Sequence, residues 1–286
     1  MAESASSSRE IKPRWADGFD VLTVMCVGAA TYVVATSLHE HLGHAVAGLL
    51  LGGRVAEYGA FYVNYVPGSL SQTGMRLGAL AGPVVSLVLG LVGAAVVNRM
   101  RSGWGRYIVW LLASLGFMVA FGYLLFSAVT GLGDLGFDKD GLLFGAPFQI
   151  GLRIVMFVAG VVSYMVSVWW IFRAAEKVLG GGPTQRQRIV RIAMLTWIAG
   201  CAVSVFIGLF SPYGLFILLI SAAPASLGGT SGFLWGPYFA RVGRRDDQAA
   251  SEAPPVVLAR NWALIAVSLI MIVVYAVVLG PTIYAT

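Results

Sequence analysis

The chain has 286 residues, of which 58% are hydrophobic and 11% charged, with a net charge of +6. A soluble domain carries roughly a quarter charged residues, so too few polar groups are present to clothe a water-facing surface, and an ordinary soluble globule is excluded. The positive balance does not point to nucleic acid, because no basic run is interleaved with aromatics. The cations sit in short connections, where they set orientation and meet anionic lipid headgroups.

Residues 1–17 are polar and lack the apolar core of a cleavable signal peptide. Residues 1–18 therefore read as a cytoplasmic tail and 19–286 as a single transmembrane helical domain. Runs of about 20 apolar residues, enough as helix to cross about 30 Å of hydrocarbon, predict an all-α polytopic membrane bundle. About seven transmembrane helices are expected, over residues 19–51, 77–98, 107–130, 151–174, 189–210, 213–235 and 261–284. The first run is longer than a span requires, which implies tilt or continuation beyond the hydrocarbon. Pro224 and the run Leu227-Gly228-Gly229-Thr230-Ser231-Gly232 interrupt the sixth.

Fifteen of the 19 basic residues fall in the N-terminal segment and in the second–third, fourth–fifth and sixth–seventh connections. The positive-inside rule then makes the N-terminus cytoplasmic and the C-terminus external. An odd number of spans is what keeps this alternation. An integral protein of a bacterial-type plasma (inner) membrane, surrounded by lipid, is the expectation. Cys26 and Cys201 lie within apolar spans and read as small core residues, with no disulfide framework implied. In the second span Gly78, Gly82, Ser86, Gly90 and Ala94 recur every four residues, a stripe that lets helices approach closely in lipid.

All three histidines lie in His39-Glu40-His41-Leu42-Gly43-His44, inside the first apolar run. Imidazole is the commonest protein ligand for borderline metals, and ionisable groups in hydrocarbon are costly unless paired or metal-bound. A metal site is therefore expected. On a regular helix each residue advances 100°. Glu40, His41 and His44 then share a face, whereas His39 and His44 diverge by about 140° and meet only if the helix widens locally, as a π-bulge allows. Two ligand sets stay open: His39 with His44 on a bulged helix, or Glu40, His41 and His44 on an unbroken one.

A catalytic zinc site needs a third protein ligand and an open position. With no histidine left, that ligand is a carboxylate. Asp134 is the first charged residue after 27 uncharged ones, and the predicted topology brings the end of the third span to the same outer side as the histidines. Asp138 and Asp140 follow as alternatives, and Gly133 and Gly136 beside Asp134 also suit a plain turn.

The stretch resembles the zincin signature H-E-x-x-H with one residue added, reading as HELGHA with His41 inserted. Together with Leu50-Leu51-Gly52-Gly53 and Ala81-Gly82-Pro83, it resembles the site-2-protease-like intramembrane zinc metallopeptidases over residues 30–95, and more weakly over 125–140. Ser86 stands where that family usually has asparagine, and Gly133-Asp134-Leu135 stands in for its Leu-Asp-Gly element. The resemblance implies His39, His44 and Asp134 as ligands of Zn2+, with Glu40 as the base that activates a metal-bound water. It implies an intramembrane metallopeptidase acting on a transmembrane or lipid-soluble substrate. Two other expectations compete: a metal enzyme acting on a lipid-like substrate, and a transporter or scaffold whose histidines carry protons or ions.

Overall fold

The computed structural model describes residues 18–180, 185–217, 221, 224–242 and 255–285. The expected tail, except Gly18, lies outside these residues. Five helices are long and apolar enough to cross a membrane: α1 (Val21–Leu50), α2 (Gln72–Arg99), α3 (Gly103–Thr130), α4 (Gln149–Leu179) and α5 (Arg186–Gly208). A sixth, α6 (Trp262–Val278), is apolar but only 17 residues long.

Three short strands correct the all-α expectation. β1 (Val55–Tyr58), β2 (Val63–Tyr65) and β3 (Ile283–Tyr284) form an antiparallel sheet in the order β2-β1-β3. Tyr58 pairs with Val63 and with Ile283. The last expected span therefore stops at Val278, and its final residues join the sheet instead of extending the helix.

The expected sixth helix, residues 213–235, is not continuous either. Its described parts are a turn at Leu215–Ile217, a π turn at Pro224–Gly228 and a 3-10 turn at Ser231–Trp235, followed by a helix at Gly236–Val242. Proline removes a backbone donor and glycine is a poor helix former. Non-helical backbone at membrane depth persists only where protein satisfies it, and here buried tyrosines do so. Tyr164 Oη donates to Gly229 O (2.7 Å) and accepts from Gly232 N (2.9 Å). Tyr32 Oη donates to Thr230 Oγ1 (2.8 Å), and Phe233 packs fully buried 5.9 Å from the Trp110 ring.

Contacts at the two ends of the bundle fix its course. At one end Leu258 N donates to Gly18 O and Val256 N to Leu179 O. At the other, Tyr213 Oη donates to Glu57 Oε2 on β1 (2.8 Å). The broken stretch thus carries the chain from one end to the other before α6 returns.

The core surrounds α3, where Tyr107, Trp110, Leu111, Leu115 and Met118 are almost completely buried. Polar atoms there are paired, as burial requires: Tyr107 Oη with Thr196 Oγ1 at 2.6 Å, and Trp110 Nε1 donating to Ile171 O at 2.9 Å. Both cysteines are free. In the expected stripe on α2, Gly78, Gly82, Ser86 and Gly90 are buried.

Asp20 closes the first turn of α1. Its Oδ1 accepts from Thr23 N (2.9 Å) and Thr23 Oγ1 (2.7 Å), and its Oδ2 meets Arg260 Nη2 at 2.9 Å. Burial alone raises this carboxyl, but the Thr23 hydrogen bonds and Arg260 outweigh it and hold the group below its ordinary value. Losing a helix cap costs about 1 kcal/mol, so Asp20→Ala is expected to lower the unfolding midpoint at neutral pH. A depressed carboxyl contributes above its unfolded-state pKa of about 4 and stops contributing as the pH falls through its folded value. The gap between wild type and Asp20→Ala should therefore close on acidification in pH-resolved thermal melts.

Candidate metal centre

Within α1 the residues Leu38–Ala45 form a π-helical segment flanked by regular helix, Val21–Ser37 before and Val46–Leu50 after. The wider turn puts His39 and His44, five residues apart, on one face. Their Nε2 atoms lie 3.3 Å apart. Asp134 arrives from the loop after α3, its Oδ2 3.1 Å from His39 Nε2 and 3.4 Å from His44 Nε2. His39 and His44 are 4% and 8% exposed.

The other ring nitrogens are committed behind the histidines. His44 Nδ1 lies 2.8 Å from the Gly78 carbonyl oxygen. A carbonyl only accepts, so Nδ1 carries the hydrogen and Nε2 presents its lone pair forward. His39 Nδ1 lies 2.9 Å from Ser86 Oγ, which leaves its Nε2 directed forward in the same way. Both backing groups sit on the small-residue stripe of α2, so the stripe serves the site as well as helix packing. Between them Gly82 permits the approach: a Cβ there would fall onto the imidazole of His44 and within 2.8 Å of His39 Nε2. Gly43 makes room from the other side, since its Cβ would lie 2.6 Å from Gly82 Cα.

Asp134 is held by a compact turn. Gly131 and Gly133 adopt φ of 79° and 82°, a region that favours glycine, and Leu142 N donates to Asp134 O at 2.8 Å. Burial alone raises the Asp134 carboxyl, but the His44 and His39 imidazoles outweigh it and keep the group well below the usual carboxylate range. The group is therefore an anion facing the two imidazole Nε2 atoms.

This donor set fits a metal ion. A tetrahedral zinc with bonds of about 2.0–2.1 Å sets its ligand atoms about 3.3 Å apart, and the three edges here measure 3.1, 3.3 and 3.4 Å. Without a metal, ring protons must bridge the imidazoles to the carboxylate. A cation at the centre screens all three. His39, His44 and Asp134 could thus hold a metal ion, with the fourth corner open.

The alternative set is not assembled. His41 is turned away, its Nδ1 3.2 Å from Ser37 O and its ring 6.4 Å from those of Tyr58 and Tyr275. Asp138 and Asp140 stay outside the group, Asp140 pairing with Lys139 at 3.9 Å. Glu40 is 5% exposed, yet its carboxylate has no hydrogen-bond or ion-pair partner among the described residues. It faces a cavity of about 1600 Å³ that His44, Tyr65, Tyr123 and Asp134 also line.

Two tyrosines were not anticipated. Tyr65 on β2 sits over Gly48 and Gly78, and its hydroxyl donates to His44 O at 2.6 Å. The Tyr123 ring on α3 stacks on His39, with centroids 5.0 Å apart and planes at 13°. The glycines opposite Tyr65 were visible in the sequence, but nothing there announced the wedge they accept.

No family model, no curated protein and no solved structure matches the chain. The site is therefore read from its own atoms.

Metal analysis of the purified protein should find His39→Ala, His44→Ala and Asp134→Ala depleted and His41→Ala replete. Ser86→Ala removes a group that orients His39, and such changes weaken metal binding about 10- to 100-fold. Gly82→Ala should abolish binding, because its methyl group occupies the space of the His44 ring.

Proposed function

We propose that this protein is a zinc-dependent intramembrane hydrolase, most simply a peptidase, acting on a transmembrane or lipid-anchored segment. One observation carries the reading: three donor atoms lie at tetrahedral spacing with the unpaired carboxylate of Glu40 in the same cavity wall. A zinc ion in such a site supplies Lewis acidity and lowers the pKa of its water to about 7. The residues of the chain supply the rest. His39, His44 and Asp134 would hold the ion, the Gly78 carbonyl setting the His44 tautomer and Ser86 Oγ holding the His39 ring from behind. Glu40, desolvated and unpaired, takes the proton of the attacking water and passes it to the leaving group.

A peptide is favoured over a lipid because β2 is an edge of the sheet and Val63, Asn64, Tyr65 and Val66 line the cavity. An extended segment adds to such an edge through backbone hydrogen bonds. A lipid-like acyl substrate is the second reading, because the cavity continues to Phe157, Val161 and Met165. We further propose seven crossings, counting the broken stretch and α6, in a plasma (inner) membrane of bacterial type. The N-terminus is then cytoplasmic and the site lies toward the outer face. The pairing of β3 with β1 supports the parity, since it brings the C-terminal segment to the end of α1 that carries the histidines.

Glu40→Gln keeps the size of the side chain and removes its basicity. Reconstituted protein is expected to cleave a fluorescent transmembrane-peptide substrate. Glu40→Gln should lose at least about 100-fold in rate while binding the same amount of metal, and a chelator should silence the wild type until zinc is restored. Full activity in Glu40→Gln would contradict the reading.

A further inference from the structure

Hydrolysis of an acyl bond places negative charge on the carbonyl oxygen as water adds, and a preorganised donor at that oxygen is worth about 10²–10³ in rate. Most hydroxyls lining the cavity are already engaged. Tyr65 donates to His44 O, Thr130 to Phe126 O, Ser221 to Phe61 O, Tyr213 to Glu57 and Tyr164 to Gly229 O. Tyr62 is bonded to Thr282, and Ser231 to Tyr164. Ser86 is turned toward His39 Nδ1, behind the donor atoms.

Tyr123 differs. Its hydroxyl has no hydrogen-bond partner among the described residues, and the residue lines the cavity beside Glu40, His44 and Asp134. Its ring is fixed by the 5.0 Å stack on His39. The phenol lies within electrostatic range of both Asp134 and Glu40. An uncommitted neutral donor held against a metal-binding imidazole is what a developing oxyanion requires.

The geometry points to Tyr123 as a catalytic residue that donates its phenolic hydrogen bond to the substrate carbonyl oxygen in the transition state. This rests on the hydrolase reading above. The oxygen of water bonds to the carbonyl carbon, and its proton passes to Glu40 and on to the leaving nitrogen or oxygen as the acyl bond breaks. Tyr123 keeps its own proton throughout, lending only the hydrogen bond.

The test uses full-length, zinc-loaded protein and a hydrophobic dipeptide phosphinate whose tetrahedral oxyanion mimics the intermediate. Wild type should bind it, and Tyr123→Phe should bind it roughly 10- to 100-fold more weakly, as loss of a hydrogen bond to a charged group predicts, with unchanged metal content. A fluorinated tyrosine at position 123 keeps the ring and hydroxyl but makes the phenol a stronger donor. Phosphinate affinity should rise with that acidity. Equal affinity in wild type and Tyr123→Phe would overturn the assignment of Tyr123 and leave the hydrolase reading standing. If Tyr123→Phe loses the metal, an affinity indifferent to fluorination would overturn it instead. Metal-replete wild type that does not bind the phosphinate would overturn both.

Discussion

Two imidazole nitrogens and a carboxylate oxygen face one another at 3.1–3.4 Å inside a helical bundle of membrane-protein composition. Each can direct a lone pair to the same point, and such an arrangement is repulsive unless positive charge, as ring protons or a metal ion, occupies it. In water the groups would separate and hydrate. Here the neighbouring helices prevent that, and the desolvation that makes the cluster costly also strengthens its attraction for a cation. The rest of the site follows from this constraint: rings locked from behind, an open corner in front, and a free carboxylate alongside.

The fold imposes the constraint from three directions. The π segment of α1 turns His39 and His44 to one side, which a regular helix would not do. The glycine stripe of α2 lets that helix come close enough for Gly78 O and Ser86 Oγ to reach the ring nitrogens. The turn after α3, with left-handed glycines at 131 and 133, brings Asp134 back over the end of its own helix. Tyr65 then joins the sheet to the centre by its hydrogen bond to His44 O. Sheet, loop and two helices meet at one histidine, so a disturbance in any of them reaches the donor atoms.

Much of this was legible in the sequence because the signals were local and chemically expensive. Five-residue spacing between His39 and His44 cannot serve one ion on a regular helix, so the spacing offered a bulge as one of two readings, beside an unbroken helix carrying Glu40, His41 and His44. Asp134 stood out as a lone charge after a long apolar run. The hydrophobic stretches located the five long helices, with boundaries off by a few residues at most ends. The remainder depended on partners far apart in the chain. The strands are two to four residues long and carry no periodicity that separates them from a loop. The break near Gly229 was visible as Pro and Gly, but the buried Tyr32 and Tyr164 that make it tolerable lie on other helices. Tyr123 looks like any aromatic in a span until His39 is beneath it.

The central claim is that one metal ion sits among His39, His44 and Asp134. X-ray absorption spectroscopy on the zinc-loaded, detergent-purified protein tests it most directly. The account predicts one zinc per chain, with two imidazole nitrogens and light oxygen donors at about 2.0–2.1 Å and a coordination number of four. A protein that takes up no stoichiometric metal, or a spectrum with no imidazole scattering, would contradict it.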